Sequence, residues 1–219
     1  RSRSIGMQRS EELAQVVLLL DEELIGLGIE VNGTQIVTDF DNPEKNVTVW
    51  FGLKGQDYLE RFQVPYLDNP MMKKFYSAWK KRVDFYTEQY SKTDKNKIIR
   101  QIFKNSDFRK TSEERKAFIY DSPGLTRASA LFKNSILIFQ RYHLTEFSEE
   151  EVSVFKRFGK VFEQAYTRFL DLQKAEAQAK EAQIETALEK VRSRSMAMQQ
   201  SDEIGDVAKV LYEQLSGLG

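Results

Sequence analysis

Between residues 10 and 27 the apolar side chains Leu13, Val16, Val17, Leu20, Leu24 and Leu27 recur at spacings of three and four. That period gathers them on one face and predicts an amphipathic helix over Ser10–Leu27, with Gly28 as its C-cap glycine. The pattern then shortens to strand-like runs, Thr34–Thr38 and Val47–Leu53, on either side of the turn-rich Asp39-Phe40-Asp41-Asn42-Pro43, and a third run follows at Tyr58–Val64. Asn69-Pro70 supplies an N-cap side chain and a proline at the first helical position. It opens a helix over Met71–Lys81 with Met72, Phe75, Tyr76 and Trp79 on one face. Asp84–Gln89 reads as a strand, and Lys95–Lys104 and Glu113–Tyr120 as short helices, the second with a capping box of Thr111 and Glu114. Two apolar runs, Arg127–Phe132 and Ile136–Arg141, flank the polar turn Lys133-Asn134-Ser135 and predict a hairpin.

A second capping box, Ser148 with Glu151, opens a helix predicted from Val152 through at least Met196. Its first half is dense in bulk: Phe155, Phe158, Phe162, Tyr166 and Phe169, as for packing on a sheet. In the second half the apolar residues thin to Ile184, Leu188, Val191, Ser195 and Met198, spaced 4-3-4-3. Such a narrow stripe suits a coiled-coil seam with a partner helix, which points to a homodimer. The earlier seam positions Leu172, Ala175, Ala179 and Ala182 are out of phase with it, as a stutter would make them. The alternative is a solvated single helix held by i,i+4 charge pairs.

Residues 192–219 repeat residues 1–28 at a constant offset of 191, with 15 of 28 pairs identical. Self-similarity at a fixed period signals a tandem array. The expected organisation is a linker helix at 1–28 (the repeat joint), a core at 29–147, a core-packing and coiled-coil helix at 148–200, and the start of the next unit's helix at 201–219.

Composition narrows the class. Lysine plus arginine and aspartate plus glutamate both number 33, so no net charge steers the chain toward nucleic acid or an anionic membrane surface. No apolar run approaches the roughly 20 residues that span a bilayer. The absence of cysteine removes disulfides and thiolate metal sites. The expectation is a cytoplasmic module with neither nucleic-acid nor membrane contact.

The order of helix, two strands, irregular helical middle, hairpin and long final helix resembles the GAF domain, a small-molecule-binding module of signalling proteins, over Leu13–Leu170. The closing hairpin followed by FSEEEVSVFKRFGKVFEQAYTRF (Phe147–Phe169) carries the likeness most strongly. The segment ETALEKVRSRSMAMQQSDEIGDVAKVLYEQLSGLG (Glu185–Gly219) is similar to linkers between tandem GAF-like domains in bacterial multidomain sensor proteins, particularly histidine kinases of the Bacteroidetes type. The resemblance implies an α+β fold: an antiparallel sheet of about six strands flanked by helices, with long linker helices leading in and out on one face. It places any ligand pocket on the other face, beneath the middle helices.

Catalytic chemistry has no candidate. The single histidine, His143, follows the hairpin rather than lying in a dimerisation helix, and no P-loop, GxGxxG or nucleophile elbow occurs. Gly52-Leu53-Lys54-Gly55 is too short for a phosphate cradle, and the acidic runs at 113–114 and 149–151 fit helix N-termini. With one histidine and no cysteine, neither a metal nor a cofactor site is expected. Binding is different. Residues 75–120 interleave aromatic side chains with Arg82, Arg100 and Arg109, with Lys73 just ahead of them, the composition of a small-molecule pocket, although aromatic residues at helical spacing also build cores. Trp50, Tyr76, Trp79, Arg100 and Tyr120 are the expected lining residues. The expected function is a non-enzymatic sensory domain that relays the state of a ligand or neighbouring domain through a dimeric coiled coil. The rival is a degenerate repeat that serves as a dimerising spacer, and a filled core beneath the middle helices would favour it.

Overall fold

Alternating inward and outward side chains build six strands: β1 (Gly33–Thr38), β2 (Val47–Gly52), β3 (Glu60–Val64), β4 (Phe85–Ser91), β5 (Gly124–Leu131) and β6 (Ile136–Arg141). In this computed structural model, which describes residues 12–42, 44–52, 60–197 and 204–217, they pair into one antiparallel sheet in the order β3-β2-β1-β6-β5-β4. The fold is therefore α+β, with a six-stranded antiparallel sheet flanked by helices. The chain divides into two compact units, Arg1–Thr167 and Arg168–Gly219.

One face of the sheet carries α1 (Glu12–Gly26) and the first part of α5 (Glu149–Ala197). Helix α1 lies on β1 and β2 through Leu13, Val16, Val17, Leu20 and Leu24, all buried. It ends in a Schellman motif: Gly28, at φ +76°, donates to Ile25, and Ile29 donates to Leu24, both at 2.9 Å. A residue with a Cβ would be strained there, which explains the glycine. Helix α5 opens with the reciprocal capping box expected of Ser148 and Glu151. Phe155 then stacks on Phe139 of β6 at 4.1 Å between ring centroids. Burying each such ring stabilises the fold by about 1.5–3 kcal/mol. The one glycine in this part of α5, Gly159, meets the Phe132 ring so closely that a Cβ would stand 2.6 Å from it. Glu163 accepts from Asn134 N and Ser135 Oγ, fastening the tip of the β5–β6 hairpin to the helix.

The opposite face carries α2 (Pro70–Lys80), α3 (Lys92–Asn105), a 3₁₀ turn (Asp107–Lys110) and α4 (Glu113–Asp121). Asn69 caps α2 by accepting from Met72 N, as its sequence predicts. The cap of α4 corrects the sequence reading: Ser112, not Thr111, accepts from Arg115 N, so the expected Thr111–Glu114 box does not form. These elements form two apolar clusters, one of Phe40, Phe75 and Tyr76 over β2 and β3, the other of Ile98, Phe103 and Ile119 beside β5.

In the second unit, α5 continues to Ala197 and α6 (Ile204–Gly217) follows. Arg194 of α5 pairs with Asp206 of α6 at 2.5 Å, and Ala187 is buried. The proposed seam residues Leu172, Ala175, Ala179, Ala182, Leu188 and Ser195 are exposed, and Ile184 and Val191 half-buried; Met198 lies outside the described residues, as do the strand ends expected at Leu53 and Tyr58. Among the described residues no helix is long and apolar enough to cross a membrane.

Candidate functional site: a cavity between the sheet and the middle helices

The two clusters on the second face do not close completely over the sheet. Between them lies a cavity of about 120 Å³. One water needs only about 10–15 Å³, so the space is of small-molecule size. Its floor comes from inward positions of the strands: Val37 and Gln35 of β1, Val49 and Phe51 of β2, Ile138 and Gln140 of β6. The register sets them side by side, with Gln35 opposite both Phe51 and Ile138 and Val37 opposite Val49. Met71 and Phe75 of α2, Ile99 and Phe103 of α3, and Phe108 of the 3₁₀ turn form the roof. Asp107 secures that turn by accepting from Gln63 N at 3.0 Å, a bond that holds its carboxyl below the usual carboxylate range.

The polar groups collect toward one end. Gln35 Nε2 donates to Gln140 Oε1, and Gln140 Nε2 donates to the Tyr142 hydroxyl, both at 3.2 Å. Burial raises the Tyr142 phenol above its ordinary value, with Arg115 and Arg127 opposing, so it stays neutral. Arg127 Nη1 pairs with Glu88 Oε1 at 2.9 Å, both side chains buried, and Glu88 also accepts from the Tyr90 hydroxyl at 2.6 Å. Removing either partner of such a pair strands a buried charge and costs about 3–5 kcal/mol. Arg115 reaches in from α4, donates to Asn32 O at 2.9 Å, and sets its guanidinium over the rings of Phe118 and Tyr142. Asn32 joins the parts, since its Oδ1 accepts from Tyr142 N and its own N–H donates to Gln140 O.

Helix α4 is itself held by Lys95 of α3. The fully buried Lys95 ammonium donates to Ile119 O, Ser122 O and Ser122 Oγ, three acceptors for three hydrogens. Burial, with the nearby Lys92 charge, pulls its pKa down to about 8, which leaves it charged at neutral pH.

None of the five lining residues expected from the sequence faces this cavity. Trp50 alternates with Val49 and Phe51, so it lies on the other face, where its Nε1 donates to Thr38 Oγ1. Tyr76 and Trp79 leave the cavity wall to Met71 and Phe75 and pack edge-on to each other, Trp79 also against Phe40. Arg100 is exposed on α3, and Tyr120 packs edge-on to Phe103. The residues that the sequence reading missed are Arg115, Arg127, Gln35, Gln140 and Tyr142. A signal for two of them was present, because Gln35 and Gln140 interrupt the inward apolar positions of their strands.

His143 accepts from Thr145 N through Nδ1 and sits 3.8 Å from Glu30, away from the cavity lining. Among the described residues no three histidine, aspartate or glutamate side chains gather where they could hold a metal ion. No protein-family model, curated protein or solved structure matches the chain.

Proposed function

We propose that this chain is a non-catalytic sensory domain of the GAF-like kind, part of a cytoplasmic multidomain signalling protein such as a sensor kinase. It takes a small molecule into the cavity beneath α2, α3 and α4. The observation that carries this reading is the cavity itself, lined by apolar walls with a few convergent polar groups, as ligand sites are. A filled core would have favoured the spacer. The relay uses the sheet as a common wall. β1 and β6 floor the cavity through Gln35, Val37, Ile138 and Gln140, and the same two strands carry α1 and the Phe139–Phe155 stack on their other side. A ligand that favours one packing of the strands therefore favours one setting of α1 and α5. In the proposed homodimer the change passes along the seam of α5 to the neighbouring domain.

Native mass spectrometry of the chain tests this reading. A dimer carrying a small-molecule adduct is the expected result. A dimer that stays ligand-free, even with an excess of small probes, favours the spacer, and a bare monomer removes the coiled-coil relay. Ser195→Leu, which fills an exposed seam position, should tighten self-association by sedimentation analysis; unchanged association counts against the seam.

A further inference from the structure

Resting on the reading of the cavity as a ligand site, we infer that its ligand is a small monocarboxylate with an aromatic or branched aliphatic body, the carboxylate held by Arg115 and Tyr142. Charge is the first argument. Two arginines line the cavity, and their surroundings differ. Arg127 is matched by Glu88. Arg115 has no carboxylate within ion-pair distance among the described residues; its Nη2 spends one hydrogen on Asn32 O, and its Nε is buried without a hydrogen-bond partner. A half-buried guanidinium set over two aromatic rings, with its buried Nε unspent, is completed by an anion. A planar carboxylate matches its fork.

The direction of the hydrogen bonds points to the same kind of ligand. From Gln35 through Gln140 each amide donates onward, and the chain ends on the Tyr142 oxygen as acceptor. The Tyr142 hydrogen is left without an acceptor among the described residues, so a second donor belongs to the ring over which the Arg115 guanidinium lies, 5.4 Å from its centroid. Two donors with no acceptor define the complement: a group that only accepts, as an ionised carboxylate does.

The rest of the wall sets the body of the ligand. Away from this end the lining is Val37, Val49, Phe62, Val64 and Phe75, with no charged group. A volume of about 120 Å³ approaches that of an engineered apolar cavity of about 150 Å³ that takes benzene. Phosphorylated or sugar-bearing ligands exceed both the space and the supply of donors.

The test titrates the 219-residue chain with benzoate, benzamide and toluene, following amide chemical shifts by NMR. Benzoate should bind about tenfold or more tightly than benzamide, the margin of a charge-assisted pair over a neutral one. Arg115→Gln should remove that margin and leave toluene binding unchanged. Equal binding of benzoate and benzamide, or an Arg115→Gln chain that is folded and keeps its benzoate affinity, overturns the inference. Tyr142→Phe deletes only a hydroxyl and provides the answer should Arg115→Gln not fold. It should weaken benzoate about threefold or more without affecting toluene, and no loss for benzoate overturns the role of Tyr142. Toluene binding without any preference for benzoate sinks the carboxylate while leaving the cavity as a ligand site. If none of the three probes shifts the cavity residues, the ligand reading and the inference fall together.

Discussion

Helices α1 and α6 hold related copies of the repeated segment in two environments. Leu24 of α1 is 0% exposed, with Leu13, Val16, Val17 and Leu20 buried beside it on β1 and β2. At the offset of 191 their counterparts are Ile204, Val207, Ala208, Leu211 and Leu215, and Leu215 is 62% exposed. The stripe, the helix and the spacing are shared, so the difference lies in the sheet. Amphipathic periodicity encodes a face to be buried and says nothing about what buries it. In α6 the half-buried residues are instead Val207, Val210 and Gln214, a face offset from the one that α1 uses. Related helix sequences can thus stand partly solvated or dock on a sheet, the property that the repeat joint expected from the sequence would need.

Paired truncations test the comparison most directly. Leu24→Ala opens a cavity under α1 and should cost about 3 kcal/mol, while Leu215→Ala should change stability by no more than about 0.5 kcal/mol. Urea unfolding followed by tryptophan fluorescence separates the two, because the only tryptophans, Trp50 and Trp79, lie in the first unit. A Leu215→Ala cost approaching that of Leu24→Ala, and growing with protein concentration, would mean that α6 docks on a sheet of another copy.

What the sequence made legible follows the same division between local pattern and distant partner. The helices, the strands that were described and the β5–β6 hairpin could be read because their signals are local: spacing, capping side chains, a polar turn. The capping box at Ser148 and Glu151 formed, whereas the cap of α4 moved one residue to Ser112 because Ser112, Thr111 and Glu114 offer competing local solutions. The site was less legible. Ranking residues by aromatic bulk selected Tyr76 and Trp79, which serve the core, and Trp50, which strand alternation turns to the wrong face. Arg115 gave no such signal, since its place depends on Asn32, 83 positions away along the chain. Only the glutamines at inward positions of β1 and β6 marked the polar end of the cavity in advance.

A smaller effect sharpens the contrast through charge. Asp21 of α1 is buried, its Oδ1 has no hydrogen-bond partner, and burial pushes its carboxyl up to about 6. The corresponding residue of α6, Tyr212, is 73% exposed and carries no acid. Since the native pKa is raised, the folded state binds more protons than the unfolded one between pH 3.8 and about 6. The stabilisation from Asp21 is therefore present in full below that window and lost as pH rises through about 6. Asp21→Asn should stabilise the first unit at pH 7 by about 1–2 kcal/mol, less than the roughly 3 kcal/mol of a two-unit shift because the amide is also desolvated. Urea midpoints at pH 7 and pH 4 check the sign: the advantage of the variant should vanish at the lower pH, and an advantage independent of pH would assign the effect to packing.

The smallest effect concerns Gly26 and Gly217, equivalent residues that close α1 and α6. A Cβ at either one would meet no atom within 4 Å, so alanine fits both without strain. Replacing a helical glycine by alanine gains about 0.5–1 kcal/mol, and less at the last turn, where fraying already weakens the helix. In α1 the helix cannot come apart without exposing the face it shares with β1 and β2, so Gly26→Ala should raise the tryptophan-monitored stability by about 0.5 kcal/mol. In α6 the same substitution acts on a helix whose apolar stripe stands largely in water. Gly217→Ala should therefore raise only the helical circular dichroism, with the tryptophan transition unmoved. Equal shifts in that transition would mean that the two helices unfold with the sheet as one cooperative body, and that the difference between the copies is one of exposure alone.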